Sequence, residues 1–197
     1  MALVACGALV AEVRRILEAR SWRADLYGIP AIYHMQPSRI TAAVDERLEQ
    51  IRERYDKVIV VYGDCGTAGA LDDVLRRHGV ERTTGSHCYE IFCGCGFGDM
   101  MERNPRTYFL TDYLIRAWDS VVLSELGLDR EPSLEREVFG GFTSVTYLRQ
   151  SLDPELMAGA QRIAEDLGVP LNIEEVGLGE LERQLARLIE RPAKGSE

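Results

Sequence analysis

The sequence has no apolar run approaching the roughly 18 residues that a membrane-spanning helix requires. It has no excess of positive charge either: 32 Asp and Glu stand against 23 Lys and Arg, a formal net charge of -9. Sequence-independent nucleic-acid binding needs a basic surface, and so does attachment to an anionic membrane. Neither nucleic acid nor membrane is therefore expected as a partner. There is no CxxC pair, no GxGxxG and no lysine-bearing phosphate loop. The opening stretch MALVACGALVAEVRRILEAR lacks a basic segment ahead of its apolar run, and Glu12, Arg14 and Arg15 interrupt that run early. This is not the pattern of a signal peptide, and a cytoplasmic location is expected. In a chain of this size read as intracellular, five cysteines point to burial, metal binding or catalysis rather than to a disulfide framework.

What is present is an ordinary folded composition, 46% hydrophobic and 28% charged over 197 residues. That length suits one domain, expected over residues 1–190, with 191–197 as a frayed tail. Short apolar runs alternate with amphipathic ones. Leu3–Ala5 reads as a strand stopped by Cys6-Gly7, and Leu9, Val10, Val13, Ile16 and Leu17 share a helical face. An extended segment runs over Ala24–Ile32, and Pro37-Ser38 opens a helix with Ser38 as its N-cap. Lys57–Tyr62 is the clearest strand, β-branched and continuous, as expected when both faces are covered. A helix follows through Leu75 with Gly79 just past its end. Further strands are expected over Val80–Thr84, Thr107–Leu110, Ser144–Leu148 and Leu171–Val176. Further helices are expected over Tyr113–Glu125, after Asp153-Pro154, and over Leu181–Ile189. Phe92–Asn104, rich in glycine and cysteine, reads as irregular. The alternation predicts an α/β fold: a single-domain, mostly parallel sheet with helices on both faces, Rossmann-like.

Open parallel sheets bind ligands at the carboxyl ends of their strands. Cys6, Cys65 and Cys88 all fall at such ends, each close to glycine. If the strands are neighbours, three thiols converge on one crevice, a donor set suited to zinc or to an iron–sulfur cluster. The alternative is that these cysteines only pack, as free cysteines commonly do. Solvent, a small-molecule substrate, Asp64, His87 or Glu90 would complete the set. His87 and Glu90 flank Cys88, and a histidine beside a thiol can activate it. Asp64, His87 and Glu90 are accordingly the candidate catalytic residues. The turn Gly63-Asp64-Cys65-Gly66-Thr67-Ala68-Gly69 offers backbone N–H groups to an anion, which makes Gly63, Gly66 and Thr67 candidate substrate-binding residues; the alternative is a glycine-enabled tight turn. Asp112 follows a strand and is read either as a binding residue or as a helix cap. His34 is a weaker ligand candidate, and His78 is expected to sit against a helix dipole. Cys93 and Cys95 read as small residues in a glycine loop.

Val4-Ala5-Cys6-Gly7-Ala8, Tyr62-Gly63-Asp64-Cys65-Gly66, His87-Cys88-Tyr89-Glu90 and Phe109-Leu110-Thr111-Asp112 together resemble the motifs of the prokaryotic family catalogued as domain of unknown function 1638, from about Leu3 to about Gly179. The resemblance places that family's cysteines at Cys6, Cys65 and Cys88 and leaves Cys93 and Cys95 outside the pattern. It implies a setting in corrinoid-linked methyl transfer or one-carbon metabolism, with a corrinoid or methyltransferase protein as partner. Three expectations stand side by side. The first is a three-thiolate metal site activating a thiol or small substrate. The second is an iron–sulfur enzyme acting on a small carboxylic or amino acid. The third is a non-enzymatic binding module for a corrinoid protein.

Overall fold

A computed structural model describes residues 1–191, so the tail expected over 191–197 lies outside the described residues apart from Arg191. The fold is α/β, every strand pair among the described residues is parallel, as the alternation predicts, and the strands divide between two sheets. Two compact units carry them. The first comprises residues 1–94 together with the segment from Leu178 onward, and the second runs from Cys95 to Gly177.

The first unit holds β1 (Ala2–Cys6), β2 (Asp25–Ile29), β3 (Val58–Val61) and β4 (Glu81–Arg82) in the order β2-β1-β3-β4. β1 is buried along its whole length and β3 along almost all of it, because both are interior strands covered on two faces. The edge strand β2 is largely exposed or half-buried. Helices α1 (Val10–Ala19), α2 (Pro37–Ile51), α3 (Ala70–His78), α4 (Cys88–Cys93) and α9 (Gly179–Glu190) belong to this unit. α2 buries Ile40, Val44, Leu48 and Ile51, and α9 buries Leu181, Leu185 and Leu188, each set at helical spacing.

The second unit holds β5 (Thr107–Thr111), β6 (Ser144–Arg149) and β7 (Leu171–Glu175) in that order, with helices α5 (Gly96–Arg103), α6 (Asp112–Arg116), α7 (Glu135–Phe139) and α8 (Pro154–Asp166). A π-helical segment, Trp118–Leu123, follows α6. The core joins Leu110, Val145 and Tyr147 of the sheet to Trp118, Phe139, Leu156 and Ile163 of the helical layer.

Local departures from expectation have local causes. Pro37 occupies the first turn of α2 and Gln36 is its N-cap, so Ser38 is already inside the helix. The strand expected over Val80–Thr84 shortens to Glu81–Arg82. Phe92–Asn104 is not irregular: it holds the end of α4 and all of α5, parted by Gly94 at φ 60°. His78 is engaged less by the dipole than by Asp45 of α2, whose Oδ1 lies 2.6 Å from its Nε2. Asp153 caps α8 as expected, accepting from the Glu155 N–H at 2.9 Å. No helix among the described residues is long and apolar enough to cross a membrane.

Candidate functional site

The first sheet contains a topological switch point. The chain leaves β1 on one side to form β2 and returns on the other to form β3. The connections that follow β1 and β3 therefore lead to opposite sides, and the carboxyl edge between them is where an open parallel sheet generally receives a ligand. Cys6 is the last residue of β1, Cys65 lies in the loop after β3, and Cys88 is the first residue of α4, beyond β4. Ala5 pairs with Val61, so Cys6 lies alongside Tyr62.

Two hydrogen bonds fasten the β3 loop to the segment entering α4: Asp64 N–H donates to Gly85 O at 2.9 Å, and Cys65 N–H to Ser86 O at 2.7 Å. Gly63 permits this approach, since a Cβ there would stand 2.7 Å from His87 Cα. Cys65 itself takes φ 49°, the left-handed region that a residue with a Cβ seldom enters. Such strain persists where surrounding contacts enforce it and is concentrated at functional sites.

The three thiols feel one another. Burial pushes the Cys65 thiol up to about 12, and the neighbouring Cys6 adds to the rise. Burial likewise raises Cys88, with Cys6 and Cys65 contributing. Cys6 is raised by burial and partly relieved by the Ala8 backbone and the Tyr62 hydroxyl. Backbone groups of Gly63 and Cys88 favour the charged form of Cys65, and those of Tyr89 and Cys88 itself do so for Cys88. The thiols are thus neutral near pH 7 while surrounded by groups that favour a charged sulfur. Among the described residues no three His, Cys, Asp or Glu side chains already stand in metal-binding geometry. The thiols are a cluster by mutual interaction rather than a closed coordination set.

The remaining expected residues divide. Asp64 is used by its own turn: its carboxylate accepts from Thr67 Oγ1 at 2.7 Å, Ala68 N–H at 3.1 Å and Gly69 N–H at 2.9 Å. Those bonds, that of Gly69 foremost, hold its carboxyl below the ordinary range. The Thr67 N–H is taken by Asp64 O and the Ala70 N–H by Thr67 O. The amides from Thr67 to Ala70 are therefore engaged within the turn itself. Gly66, at φ 81°, serves the turn's left-handed geometry. Glu90 accepts from Ser86 N–H at 2.6 Å and is held below its ordinary pKa by that bond. His87 lies beside the cysteines, its pKa lowered by burial and, in lesser part, by His34. His34, on the 3-10 turn after β2, therefore joins the same edge. Asp112 belongs to the second unit, where it is fully buried and accepts from Tyr147 Oη at 2.7 Å and Gln150 N–H at 3.1 Å, and from Ser151 Oγ. It does not cap α6; Thr111 does, accepting from Leu114 N–H at 3.3 Å. Cys93 is half-buried and Cys95 exposed.

Sequence reasoning missed Tyr62. Its residue is 1% exposed, and its hydroxyl forms no hydrogen bond of good geometry. The group it does interact with is the Cys6 thiol, with Cys65 and Cys88 also within its field. The signal was a phenol ending an otherwise aliphatic strand, in register with a cysteine.

A family model described as protein of unknown function (DUF1638) matches residues 29–185, a span that includes Cys65 and Cys88 and begins after Cys6. No curated protein and no solved structure matches the chain.

Proposed function

The chain belongs to the DUF1638 family, and we propose that it is a metal-binding protein whose Cys6, Cys65 and Cys88 hold zinc at the switch-point crevice and which serves methyl transfer to a thiol or related small substrate. The observation that carries this reading is the placement of three buried or half-buried thiols on the end of β1, the loop after β3 and the start of α4, two of those segments being hydrogen-bonded to each other, with the thiols acting on one another electrostatically. The donor set fits the ion: sulfur suits zinc, and a divalent cation offsets the burial and mutual repulsion that keep the thiols protonated. When bound, zinc held by three thiolates supplies an exchangeable position that makes a substrate thiol available as thiolate near neutral pH.

The chain's own residues do the rest. His87 receives the substrate proton, because burial keeps its imidazole neutral while the Asp64 carboxylate is engaged in its turn. Glu90 and Asp64 hold the two loops that frame the crevice. In the reaction with a methylcorrinoid protein, the substrate sulfur forms a bond to the methyl carbon and the cobalt–carbon bond breaks. Both electrons of the broken bond stay with cobalt, and the thiol proton goes to His87.

Protein purified without oxygen and analysed for metal, sulfide and absorption tests the site. One zinc per chain in a colourless protein, lost in Cys65→Ser, is the expected result, since a hydroxyl is a poor replacement for a thiolate ligand. Methyl transfer from a methylcorrinoid protein to a panel of thiols tests the reaction on the same samples. Iron and sulfide in a brown protein would replace this reading with an iron–sulfur enzyme acting on a small carboxylic or amino acid, for which backbone groups around the sulfurs are equally suitable surroundings. A protein that takes up no metal would leave the binding module for a corrinoid protein.

A further inference from the structure

Tyr62 stands where an aliphatic residue would complete the strand. It follows β3 (Val58–Val61) directly, and it is buried as deeply as Ile59, Val60 and Val61. Its backbone is satisfied by Thr83: the Tyr62 N–H donates to Thr83 Oγ1 at 3.0 Å, and Thr83 Oγ1 donates to Tyr62 O at 3.1 Å. Only the phenol hydroxyl is left without a well-formed bond. A buried hydroxyl in that condition is destabilising, and phenylalanine would fill the same space without it. The parallel register that sets Ala5 beside Val61 makes Cys6 and Tyr62 neighbours at the ends of β1 and β3, and the hydroxyl and the Cys6 thiol interact. A neutral thiol is a weak hydrogen-bond acceptor, whereas an ionised partner makes such bonds shorter and stronger.

We propose that Tyr62 is a positioning residue of the three-thiol site, donating its hydroxyl hydrogen bond to the Cys6 sulfur when that sulfur ligates a metal ion. The inference rests on the thiolate reading above. An ionised Cys6 sulfur gives the hydroxyl the acceptor of good geometry that it otherwise lacks. It therefore favours the metal-bound state, as hydrogen-bonding partners of metal ligands do.

Titration of the anaerobic, metal-free full chain with Co²⁺, in wild type and Tyr62→Phe, tests this. Wild type should bind the ion with a sulfur-to-cobalt charge-transfer band. Tyr62→Phe should bind it about 10–100-fold more weakly. Its band should move to longer wavelength, because the Cys6 sulfur becomes richer in electrons. The urea midpoint of the metal-free variant should be no lower than that of wild type, which separates this role from a structural one. Unchanged affinity and band in Tyr62→Phe, with normal binding by wild type, overturn the inference alone. Absence of Co²⁺ binding by wild type overturns the thiolate reading and this inference together. Should the variant fail to fold, ¹¹³Cd NMR of loaded wild type decides: a Tyr62 hydroxyl proton coupled to the metal supports the inference, and an uncoupled, solvent-exchanging one overturns it.

Discussion

Gly63 and Cys65 show how single positions shape the crevice. Cys65 holds a left-handed backbone at φ 49° because its N–H and that of Asp64 are both tied to the segment entering α4. Gly63 lets that segment come within what would be 2.7 Å of a Cβ, and the atom in the way is backbone, which cannot swing aside. Gly63→Ala should therefore separate the two loops, costing roughly 1–3 kcal/mol as overpacking does, and it should lower metal uptake along with the urea midpoint. Unchanged stability and uptake would show that the loops move apart without consequence. The cysteines stood out in the sequence because each lies within three residues of a glycine and Cys6 and Cys65 follow apolar runs, two signals that need no tertiary information. The commitment of Asp64 was not legible. An acidic residue at a strand end looks the same whether it faces a substrate or accepts the N–H groups of Ala68 and Gly69, and only the backbone path distinguishes the two.

Among the elements, α2 and α3 are joined by a charge contact on their outer side. Asp45 of α2 accepts from Arg77 of α3 at 2.6 Å and meets His78 at 2.6 Å. The bond to His78, followed by the charge of Arg77, holds the Asp45 carboxyl below its ordinary value. A carboxyl depressed in the folded state stabilises the fold above the unfolded pKa of about 3.9 and loses that contribution as pH falls through the folded value. Asp45→Asn should thus lower stability at pH 7, by about 1 kcal/mol or less for a solvent-screened, half-buried group, and the gap to wild type should close in acid. A gap that persists unchanged at pH 2 would show that the carboxylate charge is not what matters. Long helices such as α2 and α8 were readable from their apolar spacing and their prolines. The short helices α4 and α5 were not, because three glycines and two cysteines in Cys93–Gly98 carry no periodicity and point to a loop.

At the scale of the whole chain, the apolar runs of β1 and β3 announced buried strands, but nothing in a strand's own sequence states which neighbour it pairs with. The division into the sheets β2-β1-β3-β4 and β5-β6-β7 follows from pairings that local pattern does not encode. One consequence is that the first unit is discontinuous in sequence and is completed by α9, which returns after the second unit has been formed. α9 brings Leu181, Leu185 and Leu188 into the buried interior, and Gln184 Oε1 accepts from the Thr84 N–H at 2.8 Å, just ahead of the loop that leads to Cys88. The second unit has its own sheet and its own core, with Tyr147 and Leu110 fully buried within it. Leu185→Ala, which removes a fully buried side chain, should cost about 2–5 kcal/mol, and the loss should fall on the first unit. In native-state hydrogen exchange the amides of β1 and β3 should lose protection while those of β5 and β6 keep theirs, since subglobal opening follows cooperative units. Equal loss across both sheets would mean that the chain unfolds as one cooperative body. The same substitution links the two ends of the chain to the crevice: β1 carries Cys6, α9 anchors the approach to Cys88, and a weakened α9 should reduce metal uptake without touching any thiol.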